Sequence, residues 1–345
     1  MKNTLLFALV LIVALHGTFY SKVRAESHEI SDAPKFIFPA GCTYGQDCWA
    51  VNYVDVNPVE GAAQDYKCNP KTYDAHKGVD FALGSVAQMR AGVDVFAAAS
   101  GKVLRVRDGE SDHAKTQDEI EQLRADKREC GNGVLVDHGN GLQSVYCHLK
   151  KGSVIAKRGQ SVKAGQKIGE IGESGATQFP HLHFTVIWEG GVIDPYTGML
   201  NTDGCGQSKE SMWHIGLPMD YQPVAIFNGG FRAQPPDFAS IERGDDPNLT
   251  VFSRNSSAFI FWVGFYNVEA GDLVRIEVLD PDGQTFITRD NSVDTTRVRQ
   301  YFYTGRKLGR VQLKNGTYKA LATITRTGAA GEKITREKSF SIKVQ

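Results

Sequence analysis

The run His181-Leu182-His183-Phe184-Thr185-Val186 decides how this 345-residue chain is read. Polar and apolar residues alternate with the period of a strand, so His181 and His183 leave one face while Leu182 leaves the other. Upstream, His76-Lys77-Gly78-Val79-Asp80 opens the apolar run Phe81-Ala82-Leu83, and its two polar ends share parity along an extended backbone. Two imidazoles and one carboxylate are a common zinc set where the metal is catalytic, because three protein ligands leave a fourth position for water. Tyr146-Cys147-His148-Leu149 supplies one more histidine. Alternation predicts Tyr146 and His148 on one face and Cys147 on the other, turned away from the site and free for a disulfide.

The remaining histidines have plainer explanations. His16 lies in a leader segment and His28 in a tail. His28-Glu29 begins like HExxH, but the second histidine position holds Asp32, so that motif is absent. His113, His138 and His214 fall in a charged insertion, a turn and a junction, where structural roles are expected.

Outward from the histidines, the chain from Phe36 to Asp220 is glycine-rich with short β-branched runs such as Gly101 to Val106 and Gly133 to Val136. Short strands with frequent turn signals predict an antiparallel sheet or sandwich. Gly133 to Val136 and Leu142 to Tyr146 flank the turn His138-Gly139-Asn140-Gly141 and read as a hairpin, with Cys130 and Cys147 at its open ends. Residues 108–130 form an insertion rich in charge; within it Ile120 and Leu123 allow a short amphipathic helix, expected as a solvated surface excursion rather than a lid.

Met212 to Pro236 holds four prolines and a Gly-Gly pair, which reads as a domain junction. Beyond it, Ala258 to Val263, Leu273 to Leu279, Arg297 to Tyr303, Gly316 to Ile324 and Lys338 to Val344 read as strands separated by turns such as Pro281-Asp282-Gly283. Their spacing predicts an immunoglobulin-like or fibronectin-like β-sandwich over 221–345. The fold class is therefore mainly β, with a catalytic part over 36–220 and a sandwich after it.

At the other end, Lys2 precedes the apolar run Leu5 to Leu15, and Val23-Arg24-Ala25 fits a secretory cleavage site. Residues 1–25 read as a signal peptide and 26–35 as a flexible lead. Eleven apolar residues are too few to span a bilayer, so no membrane anchor is expected after cleavage. The formal charge of +0 argues against a protein built to grip nucleic acid. Without the leader it becomes −3, divided as −7 over 26–220 and +4 over 221–345. Export makes the six cysteines interpretable as three disulfides, for which 15 pairings exist; none of the spacings is CxxC, and Cys130 with Cys147 is the one pairing that local geometry suggests.

His76-x3-Asp80, Tyr146-x-His148-Leu149 and Pro180-His181-Leu182-His183-Phe184, in that order, resemble the lysostaphin/LytM-type zinc metallopeptidases, which share a duplicated hybrid motif fold and cut peptidoglycan peptides. Val95 to Val103, Gly159 to Gly169 and Gly172-Glu173-Ser174-Gly175 agree, and the resemblance runs from about Tyr73 to Tyr196. It implies one Zn2+ per chain held by His76, Asp80 and His183, with His148 and His181 as catalytic histidines that are not ligands. It implies hydrolysis of crosslink peptides in the wall through a metal-activated water, by a periplasmic or extracellular endopeptidase. Because HExxH is absent, a histidine near neutrality is the natural proton acceptor.

Where the family often has a glycine-containing stretch before HxH, this chain has Thr177-Gln178-Phe179-Pro180, and Phe179 is positioned to shape the groove. The family also contains degenerate members that activate other enzymes, so the alternative is a catalytically silent wall-binding or amidase-activating module. All five positions are retained here. A biotinyl- or lipoyl-carrier reading of Val162 to Gly169 fails because no Met-Lys-Met tripeptide is present.

Overall fold

In the computed structural model, residues 33–243, 249–310, 312–328 and 331–345 are described, so the expected signal peptide and most of the lead lie outside the described residues. The chain up to Leu200 forms eleven strands: β1 Cys48–Asn52, β2 Val79–Leu83, β3 Asp94–Phe96, β4 Gly101–Arg107, β5 Asn132–Gly139, β6 Leu142–Leu149, β7 Ser161–Val162, β8 Lys167–Glu170, β9 His181–Trp188, β10 Gly191–Asp194 and β11 Met199–Leu200. Nine make one sheet, with the order β1-β2-β9-β6-β5-β4-β7 and β10 and β11 continuing beside β9; β3 and β8 pair separately. All these pairings are antiparallel. The central strands run through apolar residues on one face: Phe81, Tyr146, Leu182 and Phe184 are all fully buried.

Two helices interrupt the strands. α1 (Val86–Ala91) is capped by Ser85. α2 (Gln117–Ala125) lies in the insertion, where Thr116 and Glu119 close a reciprocal capping box and Ile120 is buried. The helix foreseen at Ile120 and Leu123 therefore forms, but its apolar side is covered rather than solvated.

The C-terminal part contains β12 Ala225–Arg232, α3 Phe238–Arg243, β13 Val251–Phe252, β14 Ala258–Val268, β15 Leu273–Leu279, β16 Thr285–Ser292, β17 Arg297–Lys307, β18 Gly316–Thr327 and β19 Lys333–Val344. Sheets ordered β12-β14-β17 and β13-β19-β18-β15-β16 face each other over Phe231, Phe261, Val263, Ile276, Tyr318 and Ile342. Alternation drives this: along β18, Tyr318, Ala320, Ala322 and Ile324 turn inward while Lys319 and Leu321 face out. β12 falls in the stretch read from sequence as a junction. Its Gly229 is needed because a Cβ there would meet Trp262 O and the Phe340 ring at 2.9 Å.

The two parts share a small core of Trp49, Val51 and Ala82 against Ala225, Phe227 and Tyr266, and the Tyr266 hydroxyl donates to Leu83 O at 2.7 Å. Arg326 ties the junction: it donates to Asp272 at 2.8 and 2.7 Å, to Glu269 at 2.6 Å and to Pro223 O at 2.8 Å, while Lys71 from the first part also donates to Glu269. The disulfides are Cys42–Cys48, Cys68–Cys205 and Cys130–Cys147, the last as local geometry suggested.

Candidate active site

Register brings the polar cluster together. Asp80 lies opposite His183, Ala82 opposite His181, and Asn52 opposite Asp80, so β1, β2 and β9 set a row of polar side chains across three adjacent strands. Cross-strand partners in an antiparallel pair share a face. His76 precedes β2 and reaches the same point: His76 Nε2 is 3.2 Å from Asp80 Oδ1 and 3.1 Å from His183 Nδ1, and His183 Nδ1 is 2.8 Å from Asp80 Oδ1. Gly78 makes room, since a Cβ there would lie 2.7 Å from His183 Nε2 and from Phe184 O.

Each donor is held from behind. His76 Nδ1 donates to Tyr53 O at 2.7 Å; a carbonyl only accepts, so the proton sits on Nδ1 and the Nε2 lone pair points inward. His183 Nε2 pairs with Thr185 Oγ1 at 2.9 Å, and Asn52 Nδ2 donates to Asp80 Oδ2 at 2.8 Å, leaving Oδ1 for the centre. Three acceptor atoms thus converge on one point, a donor set that suits a divalent cation with borderline ligand preference, and such outer partners are what orient metal ligands. The other group of metal-binding residue types, Cys42, Asp47 and Cys48, has its sulfurs joined in a disulfide.

His148 and His181 stand beside this cluster with ring centroids 4.6 Å apart. Both are oriented in the same way. His148 Nδ1 donates to Ser174 O at 2.7 Å and His181 Nδ1 to Phe179 O at 2.9 Å, so each presents a bare Nε2. Burial pushes His148 well below the usual histidine range, with His181 and His183 adding to it, and burial also lowers His181. Both imidazoles are therefore neutral at neutral pH, with Nε2 free to accept a proton. Burial pushes Asp80 up, yet the surrounding His76, His181 and His183 imidazoles hold it well below the carboxylate range. For His76 burial acts downward, and the Asp80 carboxylate more than offsets it, so its pKa rises.

One expectation fails in detail. Tyr146 pairs with Phe184 and Cys147 with His183, so Cys147 lies on the site face and Tyr146 on the core face. His148 escapes the face that alternation assigns it because its φ is 61°, in the left-handed region that β-strand residues avoid, and the turn of the backbone re-aims its ring toward His181. A period-of-two reading has no means of anticipating that reversal.

A cleft of about 760 Å³ opens over Asp80, His148 and His181. Its far walls come from Ile120 and Arg124 of α2 and from Arg297 and Tyr301 of β17. Phe179 stands at the rim, its ring 5.0 Å from His181 and covered by the Arg299 guanidinium at 4.9 Å. Sequence reading found the five central residues but missed Asn52, Tyr53 O, Ser174 O and Thr185. Thr185 carried a signal, since it shares parity with His183 two residues away; the others are placed by tertiary structure alone.

A mainly β sheet with this cluster accords with the metallopeptidase-type hydrolases, and residues 74–195 match the model of Peptidase family M23. That segment is similar to the domains of peptidase family M23. An uncharacterized metalloprotease of Haemophilus influenzae is 34% identical over 134 residues, covering 39% of this chain and 23% of that protein. The peptidoglycan DD-endopeptidase ShyA of Vibrio cholerae is 32% identical over 119 residues, 34% of this chain and 22% of its own length. The DD-carboxypeptidase/endopeptidase Mpg of Neisseria meningitidis is 25% identical over 148 residues, 42% of this chain and 28% of its own. The matched stretch thus spans roughly a quarter of each of these relatives.

Proposed function

We infer that the protein is an exported zinc-dependent endopeptidase that hydrolyses crosslink peptides of peptidoglycan. The observation that carries this is the convergence of His76 Nε2, Asp80 Oδ1 and His183 Nδ1 within 3.2 Å of one another, beside two imidazoles whose Nδ1 protons are already committed. His76, Asp80 and His183 would hold the zinc, which when bound would supply Lewis acidity and lower the pKa of water. The chain's own residues do the rest. One of His148 and His181 accepts the proton of the attacking water at its bare Nε2 and returns it to the leaving amine, while the other, once it carries a proton at Nε2, donates a hydrogen bond to the developing oxyanion. Tyr53 O, Thr185 and Asn52 keep the three ligand atoms aimed, and the cleft seats an extended peptide. Three disulfides support an oxidising, periplasmic or extracellular location.

The test is cleavage of isolated peptidoglycan, with released peptide ends identified by mass spectrometry. The expected result is cleavage with zinc, none after chelation, and loss of both bound zinc and cleavage in His183→Ala. His148→Ala is expected to keep the metal and lose at least about a hundredfold in rate. A wild-type protein that binds zinc and releases no peptide would make it a silent wall-binding or activating module instead.

A further inference from the structure

The cleft over the cluster is walled by two pieces that lie outside the matched family segment or interrupt it: the insertion helix α2 and strand β17 of the sandwich. Each contributes an arginine. Arg124 and Arg297 are exposed and line the same cleft as Asp80, His148 and His181. The other charged side chains there are accounted for. Arg299 is fixed by Glu242 at 3.3 Å, by Gln178 O at 3.3 Å and by the Phe179 ring, and Asp80 belongs to the cluster. Among the described residues, no hydrogen bond or ion pair engages the side chain of Arg124 or Arg297. Two guanidinium groups without a carboxylate partner, in a cleft also lined by Ile120, Val298 and Tyr301, place positive charge beside the histidine cluster.

A guanidinium presents forked donors that match a carboxylate. We propose that Arg124 and Arg297 form a carboxylate-binding subsite that selects peptides carrying a free carboxylate close to the scissile bond. The insertion and the sandwich then act as specificity elements, reaching over a cluster whose histidines and aspartate all lie within residues 74–195. This rests on reading the cleft as the peptidase site, and the experiment separates the two claims.

Two synthetic crosslinked peptides are compared, identical except that one carboxylate beside the scissile bond is free in the first and amidated in the second. Wild type is expected to favour the free acid in kcat/KM by about tenfold per arginine, a preference that weakens with salt. Arg124→Gln with Arg297→Gln is expected to bring the ratio close to one, while Arg297→Lys, which keeps the charge and loses the fork, retains part of it. Neither side chain has a partner to lose, so the unfolding midpoint is expected to stay unchanged. A ratio that survives the double substitution overturns the subsite.

Binding of the same two peptides to the His183→Ala variant is read in parallel by calorimetry. If wild type cleaves neither peptide, the peptidase reading fails, and this arm decides the subsite alone. Tighter binding of the free acid, lost on replacing both arginines, supports it; equal binding of acid and amide overturns it.

Discussion

The face of the first sheet around Asp80 buries His76, His148 and His181, and the same half also hides Asp65 and Asp194, whereas the sandwich packs Phe231, Phe261, Val263, Ile276, Tyr318 and Ile342 and buries, among the described residues, one carboxylate, Asp272, held by Arg326. All three disulfides lie in the first half and none in the second. The contrast has a physical basis. Burying imidazoles and carboxylates costs solvation that hydrogen bonds only partly restore, so a sheet that commits its centre to chemistry has less apolar burial to hold it. Crosslinks that restrict the unfolded chain offset that loss. The sandwich alternates inside and outside along β15 and β18, buries β14 almost throughout, and holds no disulfide.

The largest expected effect tests the crosslinks. Replacing Cys68 and Cys205 with serine opens a bridge of sequence separation 137 and is expected to cost about 5 kcal/mol, against about 2 kcal/mol for Cys42 and Cys48, separated by 6. Urea titration followed by near-UV circular dichroism measures both, and equal losses would break the chain-entropy account of the difference.

Next comes the joint between the halves. Arg326→Met leaves Asp272 and Glu269 without their buried guanidinium, which is expected to cost about 3–5 kcal/mol and to separate the unfolding of the two halves into two calorimetric transitions. A single sharp transition at the wild-type temperature would show that the shared core of Trp49, Phe227 and Tyr266 suffices.

The smallest effect concerns a carboxyl of the first half that the proposed chemistry does not use. Asp194 is fully buried, its Oδ2 has no hydrogen-bond partner among the described residues, and burial pushes it up to about 7 against the hydrogen bond from the Tyr196 N–H. Unfolded, it titrates near 3.9. Between these values the folded chain keeps a proton that the unfolded chain has lost. Stability therefore falls as pH rises from about 4 to 7, by up to about 1.4 kcal/mol per unit, and levels off above. Asp194→Asn is expected to flatten that slope in urea midpoints taken at pH 5, 6 and 7; an unchanged slope would assign it to other groups.

What the sequence disclosed follows from which interactions are local. His181 and His183 were legible because a strand's period is fixed by its backbone, and the hairpin between Cys130 and Cys147 because its turn and its cysteines are neighbours in sequence. The ring direction of His148 was not, since it depends on a backbone reversal at a single residue. β12 was hidden because Gly229 and Gly230 read as a turn signal, whereas Gly229 serves the close approach of Trp262 and Phe340. The cleft walls were out of reach altogether: nothing local in Arg297 announces that it will stand across from residues more than a hundred positions away.

The Cys68–Cys205 bridge has one more consequence. It closes a covalent ring around Asp80, His148, His181 and His183, with the charged insertion on its perimeter. If the backbone is severed anywhere between Asp108 and Cys130, the two pieces remain one molecule, because the first carries Cys68 and the second Cys205. Such a chain keeps its imidazoles and its carboxylate within reach of one another after a cut that would scatter an uncrosslinked chain.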